Sequence, residues 1–181
     1  MAMFYGFKGA GMWQETRRSN LLDGGAHFYD TYQCSDDRWI SIGSIEPQFY
    51  ALLLEKTGID DPAFQAQMDR GQWPALREGL AKVIRQKTRD EWCVLMEATD
   101  VCFAPVLDLD EAPKHAHNRA RQTFVEVAGV TQPAPAPRFS ATPGAIAGPP
   151  PAIGAHNREA MSDWGLTAAQ IDNLKSAGAI D

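Results

Sequence analysis

The chain has 181 residues, 44% hydrophobic and 22% charged, which suits one domain, or one domain with an arm, of an ordinary globular protein. Its formal net charge of −6 argues against nucleic acid or an anionic membrane surface as the main partner, because both require clustered Lys and Arg. Three cysteines, Cys34, Cys93 and Cys102, form no CxxC pair and suit a reducing compartment rather than a disulfide framework. No stretch has the apolar length of a transmembrane helix, and residues 1–10 lack the basic and apolar regions of a signal peptide. The expected location is the cytoplasm.

In chain order, residues 1–18 begin with Met3, Phe4, Phe7, Met12 and Trp13 at loosely helical spacing, weakened by Gly6, Gly9 and Gly11. Asp23-Gly24-Gly25 signals a turn. Residues 28–33 and 39–43 alternate and are rich in β-formers, with Ser35-Asp36-Asp37 between them, which predicts a hairpin. Glu46-Pro47 opens a helix with Pro in its first turn. Phe49, Leu52, Leu53 and Leu54 are its expected buried stripe, and Gly58 ends it.

The steps of three and four through Trp73, Leu76, Leu80, Val83 and Ile84 predict an amphipathic helix over 73–86. Thr88 and Glu91 form a capping box for a helix that would bury Trp92, Leu95 and Met96. Residues 101–107 read as a short buried strand, 110–121 as partly helical and 123–127 as β-like. Seven prolines between 133 and 151 rule out helix or central strand there. That stretch is either an extended arm on another surface or a loose linker. A terminal helix over 166–177, capped by Thr167 and stopped by Gly178, would bury Leu166, Ile171 and Leu174. The expected fold class is α+β. A linking helix tail (1–20) precedes a small α+β domain (21–115) with an antiparallel hairpin or sheet packed on helices, and a proline-rich arm (116–181) follows.

Two stretches carry more specific information: Asn20-Leu21-Leu22-Asp23-Gly24-Gly25-Ala26-His27-Phe28-Tyr29-Asp30-Thr31-Tyr32, and Ile42-Gly43-Ser44-Ile45-Glu46-Pro47-Gln48-Phe49-Tyr50. Both resemble signatures of the α-methylacyl-CoA racemases, which are family III CoA-transferase (CaiB/BaiF-like) relatives. Asp100-Val101-Cys102-Phe103-Ala104-Pro105-Val106, Arg121-Gln122-Thr123-Phe124, Pro135-Ala136-Pro137-Arg138-Phe139-Ser140 and the tail Gly165-Leu166-Thr167-Ala168-Ala169-Gln170-Ile171 continue the resemblance over nearly the whole chain. His27 stands where the pattern has proline, and Cys102-Phe103 stands where relatives often carry Pro and a small residue. Members of the family are considerably longer. The resemblance therefore implies the C-terminal part, with an N-terminal half ahead of it and the arm returning to that large domain.

Racemisation beside a thioester carbonyl needs two bases on opposite faces of the α-carbon, one forming an enolate and the other returning the proton. In the family a His and an Asp of the N-terminal half do this, and no segment here matches their surroundings. The resemblance marks Glu46 as the catalytic acid of this part. It would reach the site from the partner subunit of a homodimer and orient the base His. Read without the family, Glu46 is a first-turn acid that suits the helix dipole. Leu22, Tyr29 and Ile45 would line the acyl pocket, with plain core packing as the competing reading.

Asp23 and Asp30 read first as turn and strand-edge residues. His115 and His117 lack a third ligand at suitable spacing, so no metal is expected. No cofactor is expected either, acyl-CoA being the substrate. The leading function is part of an isomerase that epimerises 2-methylacyl-CoA thioesters, inactive without its CoA-binding half. A CoA-transferase fragment and a stand-alone, non-catalytic dimerisation module are the alternatives.

Overall fold

The computed structural model describes residues 1–180. Internal contacts divide the chain into two units, Met1–Asp108 and Leu109–Asp181.

The first unit opens with α1 (Ala2–Gly9), a helix that buries none of its residues. The predicted hairpin follows as β1 (Tyr29–Gln33) and β2 (Trp39–Gly43), antiparallel, with Tyr29 opposite Gly43 and Gln33 opposite Trp39. Next come α2 (Pro47–Thr57), α3 (Trp73–Ile84) and α4 (Arg89–Met96). β3 (Phe103–Val106) then returns to pair antiparallel with β2, giving the sheet order β1-β2-β3.

Alternation sorts the sheet residues, since successive strand side chains point to opposite faces. Tyr32, Ile40 and Ile42 are buried on the core face, while Thr31 and Trp39 remain exposed on the other. Phe28, Leu53, Leu80, Ile84, Trp92 and Val101 complete the core, each 1% exposed or less. α3 packs on β1 and α4 on β3.

Each helix starts and stops for a local reason. Pro47 occupies the first turn of α2, where its missing N–H costs nothing, and Gly58 closes that helix in the left-handed conformation (φ 70°). The Thr88 hydroxyl accepts from the Glu91 amide, and the Glu91 carboxylate accepts from the Thr88 amide, so the capping box is complete. Thr88→Ala is expected to cost about 1 kcal/mol, read as a lower urea midpoint with unchanged slope.

Two expected stripes are corrected. In α2 the fully buried residues are Tyr50 and Leu53, with Phe49 only half-buried, because the Tyr50 hydroxyl finds the Phe64 carbonyl at 2.9 Å and so can enter the core. In α4, Leu95 is exposed and Arg89 is buried instead. Arg89 Nη1 donates to the Val106 carbonyl (2.8 Å), which ties α4 to β3.

The second unit contains α5 (Ala116–Ala120) and a two-stranded hairpin, β4 (Phe124–Val127) and β5 (Val130–Pro133). Its two-residue turn, Ala128-Gly129, has positive φ at both positions (51° and 80°), as a tight hairpin requires. β5 is an edge strand, so it can run into Pro133 without losing a ladder bond. Residues 134–156 contain no helix or strand, in line with their prolines. α6 (Asn157–Asp163), which the sequence reading did not separate, precedes α7 (Ala168–Ser176). α7 has a complete Thr167/Gln170 capping box and buries Ile171, whereas Leu166 and Leu174, also expected to be buried, are only half-buried. Among the described residues, no helix is long and apolar enough to cross a membrane.

Candidate functional site

The first unit carries a groove of about 400 Å³ whose lining includes Asp23, Gly24, Tyr29, Gly43, Cys102 and Phe103. Its floor is the open face of the sheet. Gly43 lies opposite Tyr29 and donates its amide to the Cys102 carbonyl (2.9 Å). The Tyr29 ring lies 3.6 Å from where a Cβ on residue 43 would sit, so glycine there leaves the floor low.

The wall at residues 20–25 is built by the first signature. Asn20, 1% exposed, donates its side-chain amide to the Gln14 carbonyl and accepts the Gln14 amide, both at 2.8 Å. Asp23 accepts from the Asn20 backbone amide (2.8 Å), the Asn20 side chain (2.8 Å) and the Gly25 amide (3.1 Å). Partial burial opposes ionisation of Asp23, but these hydrogen bonds outweigh it and hold its carboxyl below the usual range. Gly25 is required by close approach, since a Cβ there would collide with the Asn20 backbone.

This turn is fastened from a distance by Arg77 on α3. Its Nη2 donates to the carbonyls of Gly24 (2.5 Å) and Gly25, and its Nε donates to Asp30 at 3.1 Å. Asp30, whose side chain is 7% exposed, also pairs with Arg18. Arg77→Gln removes both carbonyl partners and half of the Asp30 pairing. With Arg18 retained, the expected loss is about 2 kcal/mol, measured by urea unfolding.

The second signature shapes the approach to α2. The Ser44 hydroxyl donates to the Val101 carbonyl (2.5 Å), and Gln67 Nε2 donates to the Ile45 carbonyl (2.9 Å). These bonds hold residues 43–46 extended, and Glu46 becomes the α2 N-cap with φ −69° and ψ 142°. Its side chain makes no cap hydrogen bond, and the residue is exposed. Its carboxylate is thus presented outward rather than spent on its own helix. Burial, then the nearby Glu46 charge and that of Asp100, push the Cys102 thiol up. Glu46 stands three residues beyond Gly43, which lines the groove.

The four residues singled out by resemblance are not gathered at one point. Tyr29 lines the groove. Leu22 instead lines an apolar niche of about 150 Å³ with Phe7, Met12, Trp13 and Leu21. Ile45 packs half-buried against the core, and Glu46 stands exposed at the start of α2.

Sequence reasoning missed Arg77 and Gln67, whose contacts lie 52 and 22 residues away in the chain and leave no local signal. Cys102 is exposed in the groove with φ 58°.

His27 is fully buried. The one hydroxyl proton of Tyr50 goes to the Phe64 carbonyl, so His27 Nε2 must be the donor in its 2.7 Å bond to the Tyr50 oxygen. Its Nδ1 is buried without a hydrogen-bond partner among the described residues. Burial first, and the Arg77 charge second, push the imidazole down to about 4. Among the described residues, no three His, Cys, Asp or Glu side chains are grouped to hold a metal ion.

A small antiparallel sheet backed by helices, with a groove on its open face and a helix-start carboxylate beside it, defines an α+β protein with one candidate site on its first unit. The chain belongs to CoA-transferase family III, whose sequence profile matches residues 2–157. It is similar to the alpha-methylacyl-CoA racemase of Mus musculus, 40% identical over 168 residues, and to that of Homo sapiens, 37% identical over 173. These alignments cover 92% and 94% of this chain but 44% and 45% of the relatives, so the chain spans less than half their length. Among solved structures, Rv3272 from Mycobacterium tuberculosis aligns with a TM-score of 0.59 and 21% identity, covering 74% of this chain and 38% of that one. That likeness concerns the fold.

Proposed function

We propose that this chain is the C-terminal part of an isomerase that epimerises 2-methylacyl-CoA thioesters through an enolate, with Glu46 as the carboxylate it contributes. The observation that carries this reading is the presentation of Glu46. The Ser44 and Gln67 bonds fix the backbone before it, and its side chain is left out of the helix cap. The 40% identity to a racemase over nearly the whole chain supports the same reading. A carboxylate held this way can accept an imidazole N–H, fix the ring orientation and raise its basicity, as the third member of a triad does.

On this reading the two proton-transfer bases and most of the CoA contacts would come from outside this chain, which spans less than half the length of the racemases it resembles. A homodimer would bring Glu46 of one copy to the bases of the other. Tyr29 would line the acyl path along the sheet groove, with Leu22 and Ile45 as apolar neighbours.

The test is α-proton exchange of a 2-methylacyl-CoA in D2O. The 181-residue chain alone is expected to give none, and the chain with a polypeptide corresponding to the rest of a racemase is expected to exchange. Exchange by the chain alone would place a base within it. Transfer of CoA to a free carboxylate without exchange, in the complemented protein, would favour CoA-transferase chemistry. The latter is the chemistry named for the 28%-identical Succinyl-CoA--D-citramalate CoA-transferase of Chloroflexus aurantiacus.

A further inference from the structure

The second unit holds a cavity of about 590 Å³, larger than the sheet groove. α5 and the turn after it contribute Arg119 and Gln122, β4 contributes Phe124, and the proline-rich segment contributes Arg138, Phe139 and Gly144. The walls are tied together. Arg138 Nη2 donates to the Gln122 carbonyl (2.7 Å), the Thr123 amide to the Asn118 carbonyl (2.9 Å) and the Ala134 amide to the Thr123 carbonyl (2.8 Å). A Cβ on Gly144 would come within 3.0 Å of the Pro135 Cβ, so this segment folds back on itself closely and glycine is what permits it.

The lining contains two guanidinium-bearing side chains and no acidic one, in a chain whose net charge is −6. Positive charge gathered in the concave part of an acidic protein favours an anion. Arginine pairs with phosphate through two parallel N–H donors, a geometry that a single lysine cannot offer. Phe124, Phe139 and the surrounding prolines add apolar surface beside the charges, as in sites that hold a compact organic body by a few polar groups.

We propose that this cavity binds an organic phosphate, with Arg119 and Arg138 taking the phosphate and the apolar wall taking the body attached to it. The cavity is lined by residues of the second unit alone, and the proposal does not depend on the thioester reading. The nucleotide end of CoA and a free nucleotide share the required chemistry.

The test is a calorimetric or NMR titration of the full 181-residue chain at low salt with AMP, CoA and adenosine. AMP and CoA are expected to bind saturably, and adenosine at least about tenfold more weakly. Arg119→Gln and Arg138→Gln should each weaken AMP binding by about tenfold or more, the size of one lost charge-assisted contact. Both residues are exposed, so the variants should fold, and Arg138→Lys should retain part of the affinity. CoA binding tighter than AMP would assign the site to the thioester's nucleotide end, and the reverse to a free nucleotide; both support it. Adenosine binding as tightly as AMP, AMP affinity unchanged in both Gln variants, or no saturable binding of either phosphate would overturn it. So would a Glu-rich peptide binding there where AMP does not, which would make the cavity a polypeptide contact.

Discussion

The Glu46→Gln substitution is expected to slow α-proton exchange in the complemented protein by about two to four orders of magnitude, the range for losing a carboxylate that orients a base histidine. Glutamine keeps the size and one carbonyl oxygen but loses the negative charge that stabilises the imidazolium. The loss should fall on kcat more than on KM, because the interaction strengthens as the histidine takes the proton. Folding should be almost untouched. Glu46 is exposed and gives its helix no side-chain cap, so the urea midpoint should shift by no more than about 0.5 kcal/mol equivalent. A variant that exchanges at the parental rate would remove Glu46 from the mechanism. One that fails to fold would assign it a structural role.

Acid should destabilise the first unit through His27. The imidazole is buried, its Nε2–H is committed to Tyr50 and its Nδ1 faces no acceptor among the described residues. A second proton would therefore enter an apolar site as an unpaired charge, with Phe28, Tyr50 and Phe64 stacked edge-on around it. The folded value lies near 4, against 6.5 for the unfolded chain. Between these values the unfolded state binds the extra proton. Stability from this group is thus fully present above pH 6.5, is lost as pH falls toward 4, and changes little below that. The whole window is worth roughly 3 kcal/mol. Urea unfolding from pH 7.5 to 4 should show this slope in the parent and lose it in His27→Gln, whose amide can still donate to Tyr50. An identical slope in both would show that other groups govern the acid response.

Most of the fold was legible because its signals are local. The hairpin strands alternate, α3 repeats its apolar residues at steps of three and four, and Thr88-Glu91 and Thr167-Gln170 state their helix starts outright. The reading slipped where a polar group decided the packing. Tyr50 entered the core because the Phe64 carbonyl receives its hydroxyl, and Arg89 displaced Leu95 because the Val106 carbonyl receives its guanidinium.

The candidate site divides the same way. Asn20, Asp23 and Gly25 sit within one signature, and their turn follows from neighbours in the chain. Arg77 and Gln67 act on carbonyls far away in sequence, and a carbonyl is the same in every residue. No pattern of side chains could announce those bonds. The separation of Leu22 from Tyr29, into a niche and a groove, was equally invisible because both are simply apolar residues near one turn.

The cysteines have a practical use. Burial pushes Cys34 and Cys93 up to about 11, while Cys102 is also raised but is the exposed one of the three. Near neutral pH all three are overwhelmingly thiols and should meet maleimides sluggishly. At mildly alkaline pH, accessibility should decide, and Cys102 should be labelled first. The chain thus carries its own single-position handle in the floor of the sheet groove. A fluorophore there would report directly whether a ligand or a second polypeptide comes to lie over Tyr29.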